Sequence, residues 1–236
     1  MTKTVHGSIV DLLGEAVVAG RYAVGASLPP EPLLCEELGV SRTVIREAVK
    51  SLVAKGLLST GPKVGTRVLP DEQWNWFDND VVAWQARAGH TREFIRDLQE
   101  LRRVVEPAAV RLAATRATTQ DIAELESAYA GMKHAVEHGG DYVSHDLRFH
   151  QGLLRACHNR MVVQMSRALG ALLRTSFEIS TSRPYPHGPV SSLPLHRAVL
   201  DAVIAHQPAK AEKASQVLID GANEDIELVL DARGRR

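Results

Sequence analysis

Cysteine is nearly absent from this 236-residue chain: Cys35 and Cys157 are the only two, far apart and in helix-like apolar surroundings. That excludes a disulfide framework and a Cys-x-x-Cys zinc site, and leaves small buried thiols as the reading. Net charge is absent as well, with 28 Lys and Arg against 28 Asp and Glu, so bulk composition does not point to nucleic acid. No apolar run approaches the roughly 20 residues that a membrane-spanning helix needs. The stretch Met1 to Asp11 lacks the basic-then-apolar pattern of a secretory signal, and a cytoplasmic location is expected. There is no nucleophile elbow, no glycine-rich phosphate loop and no obvious pair of general acid and base, which argues against an enzyme. Repeats and low-complexity tracts are missing too.

What is present is unevenly placed. Between Ser41 and Arg67 the cations Arg42, Arg46, Lys50, Lys55, Lys63 and Arg67 face one acid, Glu47, a local net charge of +5. Such a patch on a neutral chain is the footprint of a local DNA-binding element, although a merely solvated basic face would show the same charge. The pattern around it decides between them. Ile9, Leu12, Leu13, Ala16 and Val17 predict a first helix ending near Gly20. Pro30 opens a short helix that carries Leu33, Leu34 and Leu38 inward and stops at Gly39. Ser41 caps a longer helix to about Lys55, with Val44, Ile45, Ala48, Val49 and Leu52 toward a core and Gly56 closing it. Leu57 to Thr60 and Thr66 to Leu69 predict two short strands joined by a loop with a basic tip. The order is that of a winged helix-turn-helix, residues 1–70.

On the helix opened by Ser41, residues Arg42, Arg46 and Lys50 recur every four positions, away from the apolar stripe. One apolar face and one arginine-rich face suit the major groove, where arginine donates two hydrogen bonds to guanine. Ser41 and Thr43 stand at the helix N-terminus, where hydroxyls and free N–H groups hold phosphate. Lys63 and Arg67 on the hairpin extend the surface toward the backbone or the minor groove.

Residues 71–90 place Trp74, Trp76 and Trp84 within eleven positions. They predict a connector packed onto one or both domains, with a helix around Val81 to Ala88, and a candidate transmission element. Residues 91–233 read as an all-α domain. Phe94, Leu98, Leu101, Val105, Ala109 and Leu112 form one stripe through a long helix that Pro107 should kink. Ile122, Leu125, Tyr129 and Met132 form the next, closed by Gly139-Gly140, and further helices span about Asp141 to Cys157, Met161 to Ser182, Pro189 to His206 and Pro208 to Asp231. Ser182 to Pro194 holds four prolines and a glycine and must contain a loop. Overall the chain reads as mainly α, a winged helix-turn-helix followed by a helical-bundle ligand domain.

Asp146 and His150 lie four residues apart on one helix and project from the same face. With His196 on a later helix they offer three ligands to a divalent cation such as zinc, nickel or manganese; a hydrogen bond on the helix surface explains the Asp/His pair equally well. His145, His158 and the remaining histidines read as surface or satisfied core residues.

Leu28-Pro29-Pro30-Glu31, then Leu38-Gly39-Val40-Ser41-Arg42-Thr43-Val44-Ile45-Arg46-Glu47-Ala48, Leu52 and Gly56-Leu57-Leu58 closely resemble the GntR family of bacterial regulators. Within it the chain is similar to the FadR subfamily, whose C-terminal half is an all-helical effector domain of the FCD type. The resemblance implies operator contacts by Ser41, Arg42, Thr43 and Arg46, with Gly65 of the wing close to DNA. Many relatives carry arginine just after the Pro-x-Glu glutamate; Pro32 stands here, removing that contact. Leu34-Cys35-Glu36-Glu37, Gln73-Trp74-Asn75, Asp80-Val81, Val105-Glu106-Pro107-Ala108 and Arg116-Ala117-Thr118 resemble the galactonate-operon repressor branch. That branch implies a homodimer on a pseudo-palindromic operator, released by a sugar-acid effector. It also implies a pocket-facing Arg102 that forks a ligand carboxylate, against the alternative of a surface arginine bonded to Glu106. The family's metal site is completed by a further histidine, and its spacing lands on Leu218. An apolar side chain cannot coordinate, so the resemblance leaves either a weaker three-residue site or a pocket that uses its polar groups directly. Two rival classes remain at this point: a metal-dependent hydrolase or lyase built on Asp146, His150 and His196, and a ligand-independent architectural DNA-binding protein.

Overall fold

The computed structural model describes residues 4–62, 64–89, 91–168, 170–182 and 188–234. The chain divides into two compact units, Met1–His90 and Thr91–Arg236. No helix among the described residues is long and apolar enough to cross a membrane.

The first unit contains α1 (Val5–Val18), α2 (Glu31–Leu38), α3 (Arg42–Ala54), β1 (Leu58–Gly61), β2 (Gly65–Val68) and α4 (Asn79–Ala88). Leu13, Val17, Ile45, Ala48, Leu52, Leu57 and Leu58 build its core, while Leu12 and Leu33, expected inside, are exposed. Pro30 stands at the cap of α2 and Pro32 in its first turn, and Gly39 ends it in the left-handed conformation. The strands pair antiparallel with Leu58 opposite Val68 and Gly61 opposite Gly65. A segment absent from the sequence-based expectation joins them: Leu28 donates to Thr66 and Val68 donates to Ala26, so the hairpin leans on residues 25–28.

The tryptophan-rich segment is part of this unit. Asp78 caps α4, one residue-pair earlier than periodicity alone placed it, by accepting from Asp80 and Val81. Trp84 is fully buried, and its Nε1 donates to Asp11 of α1 at 3.0 Å. Trp74 and Trp76 pack at 5.5 Å and donate to the carbonyls of Leu69 and Asp71. Lys55, at the end of α3, pairs with both Asp78 and Asp80 at 2.8 Å.

The second unit is helical throughout its described residues: α5 (Arg92–Arg116), α6 (Thr119–His138), α7 (Tyr142–Ala156), α8 (Arg160–Ala168), α9 (Gly170–Ser180), α10 (Pro189–Ile204) and α11 (Pro208–Gly234). The span expected as one helix, Met161 to Ser182, is helical on both sides of residue 169, which lies outside the described residues. Helix α5 continues through Pro107. It packs against α7, α10 and α11, while α6 packs against α7 and α10. Leu125, Met132, Phe149, Val199 and Val203 fill the bundle between them. The inward face of α5 is not the stripe of Leu101, Val105 and Leu112. It is Ile95, Leu98, Gln99, Arg102, Glu106, Ala109, Val110 and Ala113, an apolar face interrupted by three polar residues.

Candidate functional site

In the first unit, α3 presents the basic face. Ser41 caps it, its Oγ accepting from the Val44 N–H at 3.4 Å. Ile45, Ala48, Val49 and Leu52 are buried, which leaves Arg42, Thr43, Arg46 and Lys50 exposed on the opposite side. Lys50 pairs with Glu47 at 2.8 Å, and Arg46 Nε donates to Glu31 at 2.9 Å. Gly65 has φ +76°, a backbone state that costs glycine nothing and other residues much, so it sets the turn into β2. Arg67 is exposed on β2. Lys63 lies outside the described residues.

The second unit contains a partly open cavity of about 490 Å³. Arg102, Asp146, His150 and His196 all line it, although they come from α5, α7 and α10 and are each less than 5% exposed. Asp146, His150 and His196 each direct one donor atom to a common point, all within 4.8 Å of one another. Leu218 of α11 lines the same cavity, as do Ser180, Thr181, Ser191, Ser192 and Phe177.

Hydrogen bonds fix which nitrogen of each ring faces that point. His150 Nδ1 lies 2.6 Å from Glu106 Oε2, and His196 Nδ1 lies 2.9 Å from the Ser192 carbonyl. An ionised carboxylate and a carbonyl only accept, which assigns the proton of each neutral ring to Nδ1. Both Nε2 atoms then face Asp146 Oδ1, at 3.4 and 3.0 Å. At that point each Nε2 either carries a proton that Asp146 accepts or offers its lone pair to a cation. The donor set fits a divalent metal, with Glu106 and the Ser192 carbonyl orienting the two histidines.

Glu106 is the residue that sequence reasoning passed over. Beyond its place in the Val105-Glu106-Pro107-Ala108 motif it entered only as a surface partner for Arg102, yet it is buried and bridges Arg102 Nε (2.6 Å) to His150. Burial alone would raise its carboxyl pKa, but the Arg102 guanidinium and His150 outweigh burial and hold it down at about 2. The Asp146 carboxyl is also held below its usual range: His196, His150 and Arg102 outweigh its burial. Arg102 reconciles both readings offered for it, being bonded to Glu106 and lining the cavity at once. Its Nη1 also reaches Ser176 (3.3 Å) and Gln99 (3.4 Å), and its guanidinium lies over Phe177, 4.7 Å from the ring centre. The spacing Gln99, Arg102, Glu106 on one helical face was the available signal.

Of the histidines set aside, His158 takes φ +50° and pairs with Asp121 at 2.8 Å. His145 departs from the satisfied reading: its Nδ1 is buried without a hydrogen-bond partner among the described residues, against Gly131.

Two family profiles match this arrangement. The profile of bacterial regulatory proteins, gntR family, covers residues 6–68, and that of the FCD domain covers residues 97–221. The chain belongs to the GntR family. It is 36% identical to the galactonate operon transcriptional repressor of Escherichia coli (strain K12) over 93% of this chain and 95% of that one. The putative L-lactate dehydrogenase operon regulatory protein of the same strain is 30% identical over 91% of this chain and 83% of that one. In fold the chain is similar to the solved structure of Lar, which controls expression of the Listeria monocytogenes agr system. The TM-score is 0.59 at 18% identity, covering 96% of this chain and 98% of that one. This GntR protein is accordingly a DNA-binding regulator of transcription with an FCD effector domain, and not an enzyme.

Proposed function

We propose that this regulator is a homodimeric repressor in the cytoplasm that leaves its operator when a 2-hydroxy carboxylate of the sugar-acid type binds the FCD cavity. The observation that carries the reading is the meeting of Arg102 with Asp146, His150 and His196 at the buried end of one cavity. With neutral imidazoles, Asp146 and Glu106 outweigh Arg102 by one negative charge. Glu224 and Asp225 add negative charge to the outer lining, so a divalent cation among Asp146, His150 and His196 makes only the buried end beside Arg102 positive and prepares that end for a carboxylate.

Asp146, His150 and His196 would hold the metal, which when bound supplies a Lewis-acidic contact for a carboxylate and its neighbouring hydroxyl. Three protein ligands leave coordination positions for the effector, as open sites do. Arg102 contributes the charged fork beside them, its plane fixed by Glu106 and by Phe177 beneath it. Galactonate and lactate, the compounds in the relatives' names, share the 2-hydroxy carboxylate group, and galactonate adds a hydroxylated tail for the Ser180, Thr181 and Ser191 wall.

In the first unit, Arg42 and Arg46 are assigned to base edges, Ser41 and Thr43 to phosphate, and Arg67, Lys63 and Gly65 to the wing contact. Two copies on a pseudo-palindromic operator place two α3 helices in successive major grooves. The effector shifts this equilibrium only through unequal affinity for the DNA-binding and released arrangements.

The test is operator binding by fluorescence anisotropy, with DNA from upstream of the protein's own gene and a panel of sugar acids including galactonate. Release by one sugar acid, lost on chelation, is expected. Tight operator binding indifferent to the whole panel would remove the effector assignment and leave DNA binding in place.

A further inference from the structure

Among the described residues, Arg46 is the one α3 arginine whose guanidinium is held by another element of the fold. Its Nε donates to Glu31 Oε2 at 2.9 Å, across from the first residue of α2 to the fifth residue of α3. Arg46 stays largely exposed, at 62% of its side-chain surface, so the contact does not bury it. Arg42, one turn earlier on the same face, makes no such contact among the described residues.

The geometry of the guanidinium gives the contact a consequence. Arginine presents five N–H donors in a rigid plane, and a bidentate bond to guanine O6 and N7 uses two of them side by side. Once Glu31 takes the Nε–H, the outer edge formed by the two Nη groups is the fork left for a base. Among the described residues no partner occupies that edge. The carboxylate fixes the plane as well as the direction, which lowers the rotamer entropy that an unheld arginine loses on docking. A carboxylate this near to DNA also repels phosphate, so its presence costs general affinity. A group that weakens binding to every sequence while orienting a base reader raises discrimination between sequences.

We propose that Glu31 is a specificity-determining positioning residue: it holds Arg46 in the orientation that reads a base, at the expense of non-specific affinity. This rests on Arg46 as a base reader, and the experiment separates failure of the one from failure of the other.

Full-length wild type, Glu31→Gln, Arg46→Ala and the double variant are each used to select bound sequences from a randomised duplex library. Specific and random DNA are then titrated by anisotropy at fixed salt. Arg46→Ala should flatten the preference at one base step in each half-site. Glu31→Gln should weaken the preference at that same step by roughly threefold to fivefold, the scale of an exposed ion pair, with random-DNA binding unchanged or tighter. In the Arg46→Ala background, adding Glu31→Gln should change nothing further at that step. A merely structural role at the start of α2 would lower specific and random binding together and lower the melting temperature, whether or not Arg46 is present. That outcome, an unchanged preference in Glu31→Gln, or a sharpened one, overturns the proposal. An unchanged preference in Arg46→Ala removes the base reader itself, and the buttress with it.

Discussion

Trp84 occupies the space that a side chain at Gly14 would need. A Cβ added at Gly14 would overlap three carbons of the indole six-membered ring. The ring cannot retreat, because it is fully buried and its Nε1 is tied to Asp11 on the same helix as Gly14. Close approach of α1 and α4 thus depends on one glycine inside a helix, where alanine would otherwise be favoured by about 1 kcal/mol.

Gly14→Ala should therefore destabilise the first unit in spite of its better helix propensity. Overpacking a tight core costs about 1–3 kcal/mol, which exceeds the propensity gain. A fall of roughly 5–10 °C in the melting of the first unit is expected for a domain of this size. Calorimetry of the full chain should show the second unit melting as before. A variant that melts at or above the wild-type temperature would show that α1 and α4 are not in this contact.

Asp78 gives a pH-dependent counterpart on the same helix. Burial raises its carboxyl, but Lys55 and the N–H groups of Asp80 and Val81 outweigh burial and hold its pKa below the ordinary 3.8. A carboxyl depressed in the folded state stabilises it above the ordinary value. That stabilisation is lost as the pH falls below about 3.8 and through the lower folded value. Asparagine caps a helix as well as aspartate does, so Asp78→Asn removes the charge and keeps the cap. At neutral pH the variant's first unit should be about 1 kcal/mol less stable than wild type, and the two should converge in acid. A gap that persists at the lowest pH would assign the loss to packing.

The first unit was largely legible because its devices are local. A cap at Ser41, a left-handed Gly39 and an apolar stripe on α3 each act over a few residues. The pairing of residues 25–28 with β2 was not, since it joins backbone to backbone and leaves no side-chain pattern. In the second unit the same rules misplaced the inner face of α5. Periodicity assumes that polar residues face water, whereas Gln99, Arg102 and Glu106 are inside because they satisfy one another, Ser176 and His150. Asp146 and His150 could be read from their four-residue spacing, while their meeting with His196 depends on α7 and α10 sharing a cavity. The polar residues that break the apolar pattern are the ones that build the site.

Leu218 offers a direct test of the metal reading. It lines the cavity with the three converging donors, and histidine there would add a fourth donor to the wall. Wild type should bind one divalent cation per chain, measured by competition with a chromogenic chelator, and Asp146→Ala should lose it. Leu218→His should tighten that binding by tenfold or more, as the site moves from an open toward a closed set. The variant should also need less effector present for the metal to be retained, since the added ring takes a position the effector would fill. A folded Leu218→His with unchanged metal affinity, or wild type and Asp146→Ala binding alike, would place the cation elsewhere or nowhere.

Arg102→Lys separates charge from geometry. Lysine keeps the positive charge but cannot offer the parallel donors of a guanidinium, nor stack as a plane on Phe177. Hydrogen bonds to a charged partner contribute about 1.5–3 kcal/mol each, so galactonate affinity by calorimetry should fall tenfold or more. Operator binding without effector should be unchanged, which shifts the release curve to higher effector concentration without altering its starting level. Because Glu106 joins Arg102 to His150, the variant's metal affinity has to be measured as well. Metal affinity falling in step with galactonate affinity would mean that Arg102 acts through Glu106 on the histidine. Metal retained while galactonate is lost would place the guanidinium on the ligand, and an unaltered release curve would remove Arg102 from effector binding.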